Sequence, residues 1–265
     1  KLTLPLKQEN LCLTDLVWNV TEQTDSSVTF AVEQEGKLLQ VSYTLRPDAY
    51  MLDMDITSQG LEGMTMPGQT ALLLDWKATI LRQEKGADFE NRYSSLTYKR
   101  QDKGVKHLAE TSNDSKEPEE ALEWIAFKNQ FFSAVMISDA GFGNTKLTSK
   151  MEERNSGYIK DYAADMNTVF DPSGNEPTQM HFYFGPNHYK ILSALDDNRE
   201  KDWNMQRLVY LGWPILRWIN QFFTINVFDW LTKLGLGMGL VLLFMTLIVK
   251  IVIFCKAFEH KLPEG

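Results

Sequence analysis

The sequence predicts a mainly β chain, a β-sandwich with antiparallel sheets followed by helices. Three observations predict it. Over the first 110 residues, β-branched and aromatic residues alternate with polar ones. Turn signals punctuate that pattern every 8 to 12 residues or so, the rhythm of an all-β sandwich. Near the C-terminus it gives way to an apolar run too long for a strand.

The elements follow in order. SVTFAVEQ (27–34), Glu35-Gly36 and KLLQVSYTL (37–45) form a hairpin signature, with a glycine-bearing turn between β-prone runs. Arg46, Pro47 and Asp48 make the next turn. AYMLDMDITSQG follows, its Met51, Met54 and Ile56 keeping period two only loosely; ALLLDWKATIL and RYSSLTYK continue the pattern. Residues 110–121, polar, acidic and bearing a proline, read as a loop. ALEWIAFKNQFFSAVMIS then supplies two strongly apolar stretches suited to strands inside a sandwich, with a short helix as the competing reading. DAGFGN (139–144) reads as a turn, residues 171–177 as a second loop, and QMHFYFGP as a late strand closed by Gly185 and Pro186. Residues 187–203 carry Tyr189, Leu192 and Leu195 at helical spacing.

Bulk properties set limits. At 265 residues the chain holds one large or two small domains, and nothing in the turn spacing suggests a split. A net charge of -8 with a pI near 5.1 argues against a nucleic-acid partner. The two cysteines, Cys12 and Cys255, lie in the soluble part and at the end of the apolar run, so no disulfide framework is expected. The chain opens on Lys1 without a methionine or a signal-like segment, and reads as a processed piece with any upstream anchor removed. Residues 256–265 follow no structural logic and read as an appended tail.

The C-terminal third turns toward a membrane. Pro214 suits the first turn of a helix in which Ile215, Trp218, Ile219, Phe222 and Phe223 share a stripe. Arg217, Asn220, Gln221 and Thr224 lie opposite. Trp213, Trp218 and Trp230 cluster where a membrane interface would be, so a helix lying in the headgroup layer is the natural reading. Packing of that stripe on the soluble domain is the alternative. Residues 234–255 are apolar except for Lys250; as a helix they would be roughly 33 Å long, enough to cross a bilayer core of about 30 Å. Gly235 and Gly239 make a GxxxG pair, readable as a packing face or as a pliant approach to the membrane.

Lys250 is the sharpest single residue. An ammonium at the centre of a span costs roughly 2.5–3.5 kcal/mol on insertion scales. It can snorkel toward the interface near Lys256, or face a hydrated cavity between helices, with Thr246 one turn earlier on the same face. A single span encloses no cavity, so the second reading needs further helices.

Catalytic constellations are missing from the sequence. His107, His181, His188 and His260 show no metal-ligand spacing, and there is no HExxH motif or GxSxG elbow. The segment 141–146 is glycine-rich but lacks phosphate-loop spacing. Sequons at Asn19 and Asn113 matter only in a glycosylating secretory route. No cofactor is expected.

The order of these segments is similar to a known family. A β-rich domain with VSYTLRPDAYMLDMDI and WIAFKNQFFSAVMIS, then FYFGPNHYKIL, GWPILRWINQF and a span bearing TLIVK resembles the bacterial membrane protein insertases of the YidC family. The resemblance implies a periplasmic β-supersandwich like that of galactose mutarotases over residues 1–203. It implies an interfacial helix and connection over 204–233, a transmembrane helix over 234–255, and a tail over 256–265. It implies that Lys250, where the family usually has arginine, and Thr246 line a hydrophilic groove in the membrane. It also implies nascent membrane proteins, the Sec translocon and the lipid bilayer as partners, in the bacterial inner membrane. A membrane-anchored carbohydrate-binding or mutarotase-like domain, with His107 or His181 beside a carboxylate, is the alternative, and a surface-anchored scaffold a third. Fold alone does not decide among them.

Overall fold

The alternating segments become strands in a computed structural model of the chain, which describes residues 1–66, 68, 70–197, 201–209 and 225–259, with side chains as far as Ile251. The strands begin with β1 (Leu2–Pro5), β2 (Asn10–Cys12), β3 (Asn19–Gln23), β4 (Ser27–Gln34), β5 (Lys37–Leu45), β6 (Met51–Gln59) and β7 (Ala71–Leu81). A short helix α1 (Ala87–Arg92) precedes β8 (Ser95–Arg100), β9 (Val105–His107), β10 (Asp114–Lys116), β11 (Leu122–Lys128), β12 (Phe132–Met151), β13 (Tyr158–Val169) and β14 (Thr178–Pro186). Helix α2 (Tyr189–Ala194) and a 3-10 turn (Met205–Leu208) close this first unit, which ends at Val209.

The sheet forms two layers that share one strand. The first runs β2-β1-β7-β13-β12, with β10 also on β12; the second runs β9-β8-β11-β12-β14-β6-β5-β4-β3. All pairings are antiparallel. Leu72, Leu74, Tyr162, Ala164 and Met166 from the first layer pack with Val41, Met54, Ile56, Ile125 and Met136 from the second in one buried core. This confirms the mainly β, antiparallel sandwich. At β4–β5 the turn places both Glu35 (φ 53) and Gly36 (φ 73) in the left-handed region, as a tight two-residue hairpin requires.

The second layer is buried on both faces. Its outer face, with Met51, Trp124, Ala126, Val135, Ile137 and Tyr183, is covered by Leu192, Trp203, Met205 and Leu208. That explains why WIAF (124–127) reads as an apolar run without alternation: every residue of β11 is buried, so neither side needs a polar face.

Four expectations are corrected. Residues 139–144 are not a turn; β12 passes straight through them from one layer to the other. Gly141 (φ 81) and Asn144 (φ 44) take up the extra residues as bulges, and the register shifts between Gly143 and Lys146. The loop at 110–121 contains β10, paired with Leu147–Ser149 and anchored where Asn113 Oδ1 accepts from the Met151 amide at 2.7 Å. RYSSLTYK is divided, because Arg92 ends α1 and β8 starts only at Ser95. The helix expected over 187–203 stops at Ala194; turns follow to Asp197, and Asp196 accepts from the amides of Trp203 (2.6 Å) and Asn204 (3.0 Å) instead of continuing a helix.

A second unit begins at residue 210. In it, α3 (Ile225–Lys233) is ended by Gly235 (φ 73), whose amide donates to the Thr232 carbonyl at 3.0 Å. Helix α4 (Met238–Glu259) follows and packs against α3. Because Gly235 lies outside any helix, it forms no packing face with Gly239. The expected interfacial-helix residues Trp213, Pro214, Ile215, Trp218, Ile219, Phe222 and Phe223 lie outside the described residues.

Candidate functional site

Thr246 and Lys250 fall four residues apart on α4, one turn above the other, and both are exposed. The Thr246 hydroxyl donates to the Leu242 carbonyl at 2.8 Å, so its oxygen lone pairs are what remain for a neighbour. Leu242, Leu243, Leu247, Val249 and Ile251 are exposed around them. A cation and a hydroxyl in an apolar helical surface can hold a polar group inside a low-dielectric medium. Among the described residues no helix is long and apolar enough to cross a membrane. The described side chains of α4, Met238 to Ile251, cover roughly 21 Å of helix.

In the first unit the structure brings a different set together. Strand register places Asp53 on β6 opposite His181 on β14, and Asp139 on β12 reaches the same ring. His181 Nδ1 lies 2.6 Å from Asp53 Oδ1, and Nε2 lies 3.2 Å from Asp139 Oδ1. Arg46 forks onto Asp53 through two bonds of 2.7 Å and approaches His181 Nδ1 at 3.3 Å. The imidazole and Trp203 rings are tilted by 47° to each other with centroids 5.6 Å apart. Burial alone would raise the Asp53 carboxyl, but the hydrogen bonds from Arg46 and then His181 hold it below the ordinary carboxylate range.

Sugar chemistry is not favoured by this geometry. A mutarotase-like reaction needs a histidine open to a ligand, whereas both His181 nitrogens are engaged and its side chain is 12% exposed. His107 is exposed on β9, with Nδ1 3.0 Å from the Leu108 carbonyl oxygen and 3.9 Å from Glu110. The two histidines are not brought into one site. His260 lies outside the described residues. Among the described residues no group of acidic, histidine or cysteine side chains could hold a metal.

Two further sets of contacts escape the sequence reading. Trp124 Nε1 donates to the Trp203 carbonyl at 2.7 Å. Glu123 accepts from Lys99 (2.5 Å) and Lys201 (2.9 Å), and Lys99 also donates to the Asp202 carbonyl at 2.5 Å. Together they lock residues 201–209 onto the second layer. At the end of the sandwich, fully buried Lys160 donates to the carbonyls of Asn91 (3.0 Å), Ser94 (2.5 Å) and Glu110 (2.7 Å). Burial pulls its ammonium down to about 8, so it still carries its proton at neutral pH.

Comparison with known proteins places this geometry in context. A family model described as the YidC periplasmic domain matches residues 8–225. A membrane protein insertase YidC of Bacteroides fragilis is 48% identical over 241 residues, 91% of this chain and 39% of that protein. The proteins of the same name from Phocaeicola vulgatus and Porphyromonas gingivalis are 45% and 33% identical, over 98% and 95% of this chain. The chain thus spans about two fifths of the length of these relatives, 39–42%. Among solved structures, a galactose mutarotase related enzyme from Lactobacillus acidophilus superposes with a TM-score of 0.33 at 9% identity, covering 64% of this chain and 71% of its own. A galactose mutarotase-like protein from Lactobacillus casei gives 0.36 at 11%, covering 69% and 80%. Likeness at these scores carries no functional argument.

Proposed function

From its place in the family of the YidC periplasmic domain, to which this chain belongs, we propose that it is the periplasmic and membrane-entering part of an insertase. The whole protein carries nascent membrane proteins into the bacterial inner membrane, alone or beside the Sec translocon. The observation that carries this reading is the 48% identity to a named insertase over 91% of the chain.

Residues 1–203 serve as the periplasmic domain, and 204–233 as the interfacial helix and its connection. Residues 234–255 serve as the transmembrane helix, a reading supported by their apolar sequence, broken by one charge at Lys250, and by the helix α4 that takes in most of them. Lys250 and Thr246 then face a wet groove completed by helices elsewhere in the protein. There the ammonium draws acidic and polar client groups into the bilayer and lowers their transfer cost. Work of that kind makes and breaks no covalent bond, so no catalytic residue, cofactor or nucleic acid is required. The periplasmic sandwich acts in partner contact or as a scaffold.

Insertion of a client that does not need the Sec translocon, measured with full-length protein, tests the groove. Replacing Lys250 by alanine should lower insertion several-fold, and by glutamate further still for an acidic client. Unchanged insertion at normal expression removes Lys250 from the function.

A further inference from the structure

His181 is placed so that the doubly protonated ring suits its carboxylate neighbours best. Both ring nitrogens point at carboxylate oxygens, Nδ1 at Asp53 (2.6 Å) and Nε2 at Asp139 (3.2 Å). A carboxylate offers acceptors only, so a hydrogen on each nitrogen suits both contacts, the 2.6 Å approach of Asp53 to Nδ1 being closer than the 3.3 Å approach of the Arg46 donor. A neutral imidazole has one, and would leave a lone pair facing a carboxylate oxygen.

The ring also lies against the closing segment of the first unit. The Trp203 ring is tilted by 47° to the imidazole with centroids 5.6 Å apart, within the distance at which a cation attracts an aromatic π-system. Trp203 stands in the segment through which the chain leaves the first unit. We propose that His181 is a proton-operated pin: as an imidazolium it bridges Asp53 and Asp139 and holds Trp203, and with it residues 201–209, on the outer face of the second layer.

The charged groups around the pin come from each element packed on it. Arg46 comes from the β5–β6 turn, Asp53 from β6 and Asp139 from β12. In the C-terminal segment Asp196 accepts the Trp203 and Asn204 amides, Lys201 pairs with Glu123 and Asp102, and the Asp202 carbonyl accepts from Lys99. Burial of His181 disfavours its charge, but the hydrogen bonds to Asp139 and Asp53, and then their fields, outweigh that and raise it above its ordinary 6.5. A raised folded value means the pin is fully closed below about 6.5 and is released as pH climbs through the folded value. Alkaline conditions outside the membrane would therefore loosen the segment, and neutral or acidic ones hold it.

Hydrogen exchange on the whole chain in lipid nanodiscs tests this, read at the amides of residues 201–209 and corrected for intrinsic rates. Between pH 6 and pH 9 protection in the wild type should fall at least tenfold. In His181→Gln it should be flat and low, and in Asp139→Asn the step should move to lower pH. Equal protection of the wild type at both pH values overturns the pin, as does a wild-type step surviving in His181→Gln. If the glutamine variant fails to fold by circular dichroism, Asp139→Asn decides: a step at an unchanged pH refutes the proposal.

Discussion

Lys160 has no exposed surface, and its ammonium is satisfied by three backbone carbonyls rather than by a carboxylate. The cation ties the end of α1 and the Glu110 segment to β13. Lys160→Met keeps the length and apolar stem but removes the donor to all three carbonyls, of which only that of Asn91 keeps another, the Ser94 amide at 3.2 Å. Each orphaned group costs about 1–3 kcal/mol, offset by the removal of a buried charge, so a net loss of about 3 kcal/mol in urea unfolding is expected. The titration adds a signature. With the folded value near 8 and the ordinary one at 10.5, the unfolded chain binds more protons between them. Stability from this group therefore rises with pH across that window, and the methionine variant should lack the rise. Gly174 (φ 76) is a second case: a Cβ there would lie 1.7 Å from the Ser58 carbonyl oxygen. Gly174→Ala must displace the backbone of β6, and should unfold at lower urea by more than the about 1 kcal/mol ordinary for glycine replacement. Neither role is legible in the sequence. Lys160 sits in step with Tyr162, Ala164 and Met166 on the core face of β13, but its charge and the neighbouring acids disguise the period.

At the scale of elements, legibility follows how much each element decides by itself. The β4–β5 hairpin is plain because its turn residues and its alternation are both local. Strand β13 is passed over, because Lys160, Asp161 and Asp165 interrupt its pattern although it pairs with β7 and β12 along almost its full length. Strand β12 deceives in another way: glycine and asparagine at 141–144 signal a turn, yet the two layers need a strand that changes sheet there. Gly141 supplies the left-handed conformation, with the Leu122 carbonyl oxygen 3.4 Å from where a Cβ would sit. Gly141→Val should cost about 2 kcal/mol or more, since a β-branched residue is strained at positive φ. The readout is the urea midpoint, with Gly104→Val in the open β8–β9 turn as the comparison, expected to shift it far less. The closing segment also depends on partners remote in sequence. Trp203 is buried because Trp124, more than seventy residues earlier, donates to its carbonyl. Trp124→Phe removes that hydrogen bond and some volume, and should cost about 1–3 kcal/mol in the same assay.

For the molecule as a whole, the apolar C-terminal run is the easiest part to see and the hardest to assign. An apolar run of that length needs no period to be recognised; the helix α4 covers Met238–Glu259, and Gly235 ends α3 before it. Which chemistry Lys250 performs depends on helices that the sequence of α4 cannot supply. If the groove acts through charge, the shape of the cation should matter little. Lys250→Arg exchanges a compact ammonium for a planar fork of similar reach and the same charge. In the full-length insertase it should carry a Sec-independent client within about twofold of the wild type. Lys250→Met, which keeps the stem and loses the charge, should fall to the level of alanine. An arginine variant as inactive as alanine would mean that the site reads the small ammonium itself. A methionine variant as active as the wild type would mean that Lys250 snorkels to the interface and that clients never meet it.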